Sequence, residues 1–190
     1  ARSTAKDMAC LSNTRQVGIA SVAYATDSKD WSVRATSTGV FTDDGNTDYW
    51  AGNLTIGGYG STVEMFQCTI FDPDPAFNFV PYDPDVQAAM LADKGHIIWR
   101  QIDYGTYLYT VTGRRSYKEP AGRGIPEPAS FSARLTDIKN PTETVFLADS
   151  WYESFDGTAN QRGIYVIGGI PTRGGGPHAR HKNNAINIAW

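Results

Sequence analysis

ARSTAKDMACLSNTRQVGIASVAYATDSKDW, Ala1 to Trp31, is the stretch whose reading decides the fold. Ala1–Ser28 has no proline, its one glycine is Gly18, and it breaks up at Asp27-Ser28-Lys29-Asp30. Composition rich in Ala and other helix-compatible residues predicts one long helix over residues 1–26. At about 100° per residue, Cys10, Thr14, Val17, Ser21 and Tyr24 share one side, and Met8, Leu11, Ile19 and Val22 form a second stripe beside it. Arg2, Lys6, Asp7 and Arg15 charge the first half, whereas Val17 to Ala25 carries no charge. A helix apolar nearly all round calls for cover on more than one side. One cover is the protein's own sheet. The other, over Met8, Leu11, Ile19 and Val22, comes either from more of the chain's own core, as in a central core helix, or from another subunit.

Outward from the helix, 190 residues suit one domain with a full core, and 19 Gly with 10 Pro point to many turns. A net charge of −3 without a long basic run gives no reason to expect nucleic acid as a partner. No stretch reaches the roughly eighteen apolar residues of a membrane span. Cys10 and Cys68 are the only cysteines, and by themselves they leave both a pair of buried thiols and a disulfide open.

Residues 31–60 read as an irregular connection, with a turn cluster at Thr42-Asp-Asp-Gly-Asn-Thr-Asp48. Asp43, Asp44 and Asp48 there are calcium candidates through their oxygen atoms, although the spacing is not that of an EF-hand. Residues 61–190 read as the sheet region. Thr62–Thr69 is a plausible strand. A short helix is expected near residues 84–94, with Asp83 as cap, Pro84 at the first position and Gly95 as a left-handed terminator. His96–Arg100, Gly105–Thr112, Thr144–Ala148, Arg162–Gly168 and Ala185–Trp190 complete the expected strands. Glu119–Pro128, rich in Pro and Gly, is expected to be a surface loop.

Several of these segments carry a resemblance. Cys10-Leu-Ser-Asn13-Thr-Arg-Gln16-Val-Gly18 and Tyr24-Ala-Thr-Asp27 resemble the opening of the soluble part of bacterial type IV pilin-like proteins. The group is the pseudopilin-like one with a prepilin-type N-terminus and a C-terminal His, nine residues, Asp-Gly signature. Phe66-Gln-Cys68 resembles its second cysteine. Tyr104-Gly-Thr-Tyr107 resembles its Tyr-Gly run, with Tyr107 where the family carries Asn. Ala148-Asp-Ser150 and Arg180-His181 resemble two later motifs. The resemblance implies an α+β fold in which the long N-terminal helix packs on an antiparallel sheet, with a loop-rich insertion. It implies a Cys10–Cys68 disulfide, which by closing a loop of about 59 residues would contribute roughly 4 kcal/mol in the chain-entropy model. That bond implies an exported, oxidising location. Also implied are about twenty apolar residues before Ala1, cleaved and methylated through prepilin peptidase and anchored in the inner membrane, and an Asp-Gly just beyond Trp190.

The function implied is a structural subunit of a type IV pilus or type II secretion pseudopilus, periplasmic or at the cell surface. The alternative is a membrane-tethered or surface-displayed polysaccharide-binding module, suggested by Trp31, Trp50 and Trp151 beside polar turns. No enzyme is expected. Gly174-Gly-Gly-Pro177 lacks the Lys-Ser/Thr ending of a phosphate loop, and no nucleophile elbow is visible. Asp103, Asp149 and Glu153 stand apart in sequence. His178 and His181 invite a metal, but zinc needs three or four ligands and neither cysteine is near in sequence. No cofactor beyond calcium is therefore expected.

Overall fold

The computed structural model describes residues 2–35, 48–70, 83–107, 134–138, 140, 145–151, 166–167, 176–177, 181 and 188–189. The opening helix, α1, spans Arg2–Asp27. It ends by local backbone geometry: Lys29 and Asp30 adopt left-handed φ angles of 55° and 67°. The Asp30 N–H donates back to the Ala25 carbonyl at 2.8 Å. The inward stripe is Cys10, Thr14, Val17, Ala20, Ser21 and Ala25, all buried. Thr14 and Ser21 are harmless there because their hydroxyls donate to the Cys10 and Val17 carbonyls one turn back. Among the described residues no helix is long and apolar enough to cross a membrane.

Two further helices follow, α2 (Trp50–Ile56) and α3 (Pro84–Ala92). The connection over residues 31–60 thus contains a helix that was not expected. Its Gly, Asn, Thr and Ile give it weak intrinsic propensity, and burial of Trp50, Ala51 and Leu54 holds it. For α3 the expected start is present: the Asp83 carboxylate accepts from the Asp85 N–H at 2.8 Å, with Pro84 at the first position. The end differs. Asp93, in extended backbone, terminates it two residues early, and its carboxylate takes the Gly95 N–H, so no left-handed glycine is used.

Two expected strands are 3-10 turns instead, at Val63–Phe66 and Ile97–Gln101. A strand would send adjacent residues to opposite faces. Here Met65 and Phe66, and again Ile98 and Trp99, are adjacent pairs that are both buried. Phe66 sits edge-on between Trp50 and Trp99, at centroid distances of 5.4 and 5.8 Å. The Trp99 indole N–H reaches the Met90 and Asp93 carbonyls at the end of α3.

The sheet is built from β1 (Tyr104–Tyr107), β2 (Leu147–Trp151), β3 (Val166–Ile167), β4 (Gly176–Pro177) and β5 (Ile188–Ala189). β1 and β2 are antiparallel, with Gly105 opposite Ala148. The other edge of β2 is shared by β5 at Leu147–Ala148 and β4 at Ser150–Trp151. The expectation of a purely antiparallel sheet needs correction, because β3 pairs with β1 in parallel, Thr106 opposite Val166. The chain reverses after β2, so β3 runs in the direction of β1. It then lies on the free edge of β1 instead of continuing beside β2. The class is α+β, and α1 packs against β2, β5, α2 and the first 3-10 turn.

Gly52 marks the tightest approach between α2 and the chain after α3. A Cβ there would lie 2.6 Å from the Lys94 carbonyl oxygen and 2.9 Å from its Cα. Alanine would gain about 1 kcal/mol of helix propensity, but a backbone clash costs about 1–3 kcal/mol. Gly52→Ala is expected to be net destabilising, read as a lower urea midpoint at unchanged slope. A stabilised variant would mean that Lys94 yields freely.

Candidate functional site

Beneath the first half of α1, side chains from five separate stretches meet. α1 supplies Asp7 and Cys10, one turn apart on its inner side. The extended residues after the first 3-10 turn supply Cys68. Asp103 and Tyr104 come from the start of β1, Asp149 from the middle of β2, and His181 from the chain between β4 and β5. Cys10, Cys68, Tyr104 and Asp149 are all fully buried, and Asp103 and His181 nearly so.

The Cys10 and Cys68 sulfurs lie 2.8 Å apart. The structure thus brings together the two residues of the implied disulfide, with the sulfurs in contact but not bonded to one another. The covalent bond, at about 2.05 Å, requires oxidation and further closure. Each cysteine is fixed by its backbone. The Cys68 N–H donates to the Asp103 carboxylate at 2.7 Å. The Tyr104 hydroxyl points at the Cys10 and Gln67 carbonyls, at 3.1 and 3.3 Å. Its pKa is pushed far above the usual phenol range, first by burial and then by the neighbouring Cys68, Cys10 and Asp149 charges, so it remains a donor. Asn13, one turn on from Cys10, donates to the Gln67 and Glu64 carbonyls and closes the same seam.

His181 is held on both ring nitrogens: Nδ1 is 2.9 Å from Asp7 Oδ1 and Nε2 is 3.0 Å from Asp149 Oδ2. Nε2 also lies 3.9 Å from the Cys68 sulfur. The two sulfurs and a ring nitrogen of His181 fall within 4.8 Å of one another. The remoteness of the cysteines from His181 in sequence, which argued against a metal, is therefore overturned by the fold. His178 lies outside the described residues, as do Asp43 and Asp44 of the calcium cluster and Glu153. Asp48 is half-buried just ahead of α2.

The aromatic residues offer less to a sugar. Trp50 is a core residue, a correction to its reading beside a polar turn. One face of Trp31 carries the Arg134 guanidinium, 5.0 Å from the ring centroid, while the residue stays 41% exposed. The second helical stripe is open, with Met8, Leu11, Ile19 and Val22 at 61, 48, 61 and 56% exposure.

Sequence reasoning singled out Cys10, Cys68 and His181 and paired the two cysteines through the resemblance, but missed that His181 joins them and gave no role to Asp7. The signal was present in another form: the quoted motifs around Cys10, Cys68, Tyr104, Asp149 and His181 are the segments that converge. Comparison with protein-family models, with curated proteins and with solved structures finds no match.

Chemically, the junction stabilises negative sulfur. The Cys68 contact, opposed by burial and assisted by Thr69, the Ile70 backbone and the charge of His181, lowers the Cys10 thiol from an ordinary 9.0 to about 5. A folded-state pKa below the unfolded one adds stability that is fully present above about 9 and is lost as pH falls toward 5. Thermal melts of the reduced chain should accordingly rise between pH about 5 and about 9. Cys10→Ala should flatten that part of the profile. An unchanged slope in the variant would remove Cys10 as its source.

Proposed function

We propose that this chain is the soluble part of a pilin-like structural subunit, serving a type IV pilus or a type II secretion pseudopilus. The observation that carries the reading is the outer stripe of α1. Met8, Leu11, Ile19 and Val22 are four large apolar side chains, each about half exposed or more, on one face of a 26-residue helix. Single exposed apolar residues are ordinary, whereas two apolar pairs on one helix face, Met8 with Leu11 and Ile19 with Val22 on either side of Arg15, support an interaction surface. Full burial of a Leu or Ile side chain contributes about 1.5–3 kcal/mol, so two or three such anchors suffice to matter in assembly. Convergence of the family-like motifs on one buried junction supports the same reading, because it gives them a common structural task. The pilin-like form of the fold, the membrane anchor through a preceding hydrophobic helix, processing by prepilin peptidase and a periplasmic or surface location are parts of this proposal. Arg134 on one face of Trp31 and the burial of Trp50 favour it over a polysaccharide-binding module.

The two stripes of α1 separate assembly from folding. Val17 is fully buried, Ile19 is 61% exposed. Val17→Asp should strand a charge in the core and unfold the chain or lower its melting temperature steeply. Ile19→Asp should change stability by no more than about 0.5 kcal/mol, yet impair incorporation into filaments when introduced into the full-length protein in its host. Normal assembly with Ile19→Asp and Val22→Asp together would remove the stripe as the packing surface.

A further inference from the structure

The geometry points to a zinc-class metal site in the dithiol form of this chain, with Cys10 Sγ, Cys68 Sγ and His181 Nε2 as ligands. Asp149 is the carboxylate beside that Nε2, and the fourth ligand is left to solvent or a further group. Three observations carry this, independently of any role in a filament.

The first is the donor set. Two thiols and an imidazole within 4.8 Å of one another, all buried, supply three of the four ligands of a tetrahedral site for a thiophilic divalent ion. Zinc–sulfur bonds of about 2.3 Å in a tetrahedron place two sulfurs about 3.7 Å apart. The pair at 2.8 Å must open by about 1 Å to accept the ion. Cys68 Sγ and His181 Nε2, 3.9 Å apart, already stand near such a spacing.

The second is the orientation of His181. Asp7 accepts at Nδ1, 2.9 Å away, which in the neutral ring leaves the Nε2 lone pair facing inward. A carboxylate on the outer nitrogen is the arrangement that fixes the tautomer of a metal-binding histidine and raises its basicity. The third is Asp149, whose Oδ2 lies 3.0 Å from that same Nε2. It would set negative charge beside a cation held at Nε2. Once bound, the ion would staple α1 to segments 58 and 171 residues further along the chain, from Cys10 to Cys68 and His181.

The disulfide and the metal site exclude one another, because each needs both sulfurs. Diamide converts one form to the other, taking two electrons and two protons from the dithiol and becoming its hydrazine. The test is titration of the reduced 190-residue chain with cobalt(II) and then zinc(II), without oxygen, followed by optical spectroscopy and native mass spectrometry. One ion per chain is expected, with a sulfur-to-cobalt charge-transfer band and the intense visible bands of tetrahedral cobalt, both displaced by zinc. Cys68→Ser should lose at least about 100-fold in affinity together with much of the charge-transfer band. Asp7→Asn should keep that band but bind about 10–100-fold more weakly. Diamide-treated chain should bind nothing. A weak octahedral spectrum, undiminished binding by Cys68→Ser, or binding that survives diamide would each overturn the assignment. The parent and diamide arms need no substitution, so a variant that fails to fold leaves the result decisive.

Discussion

Cys10 lies where α1 is fastened to the rest of the molecule, and the fastening is mainly polar. Its carbonyl takes the Tyr104 hydroxyl, its sulfur touches Cys68, and one turn earlier Asp7 holds His181 against Asp149. The residues that α1 buries are small: Cys, Thr, Val, Ala and Ser. Each removes little apolar area from water, so area alone gives α1 only modest attachment. Directional bonds from chemically distinct groups supply what the small stripe lacks. They also set the helix in one register, since a slide of one residue would leave buried carboxylates and carbonyls without their donors.

The distribution of side chains on α1 is the inverse of an ordinary surface helix. Its larger apolar residues, Met8, Leu11, Ile19 and Val22, face out, while the inner stripe is small and partly polar. Small inner residues let the helix approach the sheet and the Val63–Phe66 turn closely. The outer stripe is left exposed on this chain, which is why the proposed function turns on it. The large core side chains lie elsewhere, around Trp50, Phe66 and Trp99, so folding of that core does not consume the outer stripe.

Long local patterns were legible and short ones were not. The bounds of α1 and the start of α3 follow from proline avoidance, Asp83 and Pro84, all features of neighbouring residues. The runs at Val63–Phe66 and Ile97–Gln101 have strand-like composition, yet each must bury two adjacent side chains, and a 3-10 turn does that where a pleated strand cannot. α2 was invisible for the opposite reason: its propensity is weak, and the packing of Trp50, Ala51 and Leu54 decides it. The site was half legible. Cys10, Cys68 and His181 stood out by residue type, whereas Asp7 looked like one more charge on a solvated helix.

The amino-acid order alone determined that the chain opens on a long two-striped helix, because helical periodicity and capping act over a few residues. It also determined which residues could do chemistry, because that is a property of side-chain type. Only the tertiary structure decided that β3 lies parallel to β1, since strand neighbours depend on where the chain returns. Only it brought His181 between Asp7 and Asp149, beside two sulfurs from distant segments. Convergence over such separations is a product of sheet pairing and helix docking together, and no local window of sequence contains it.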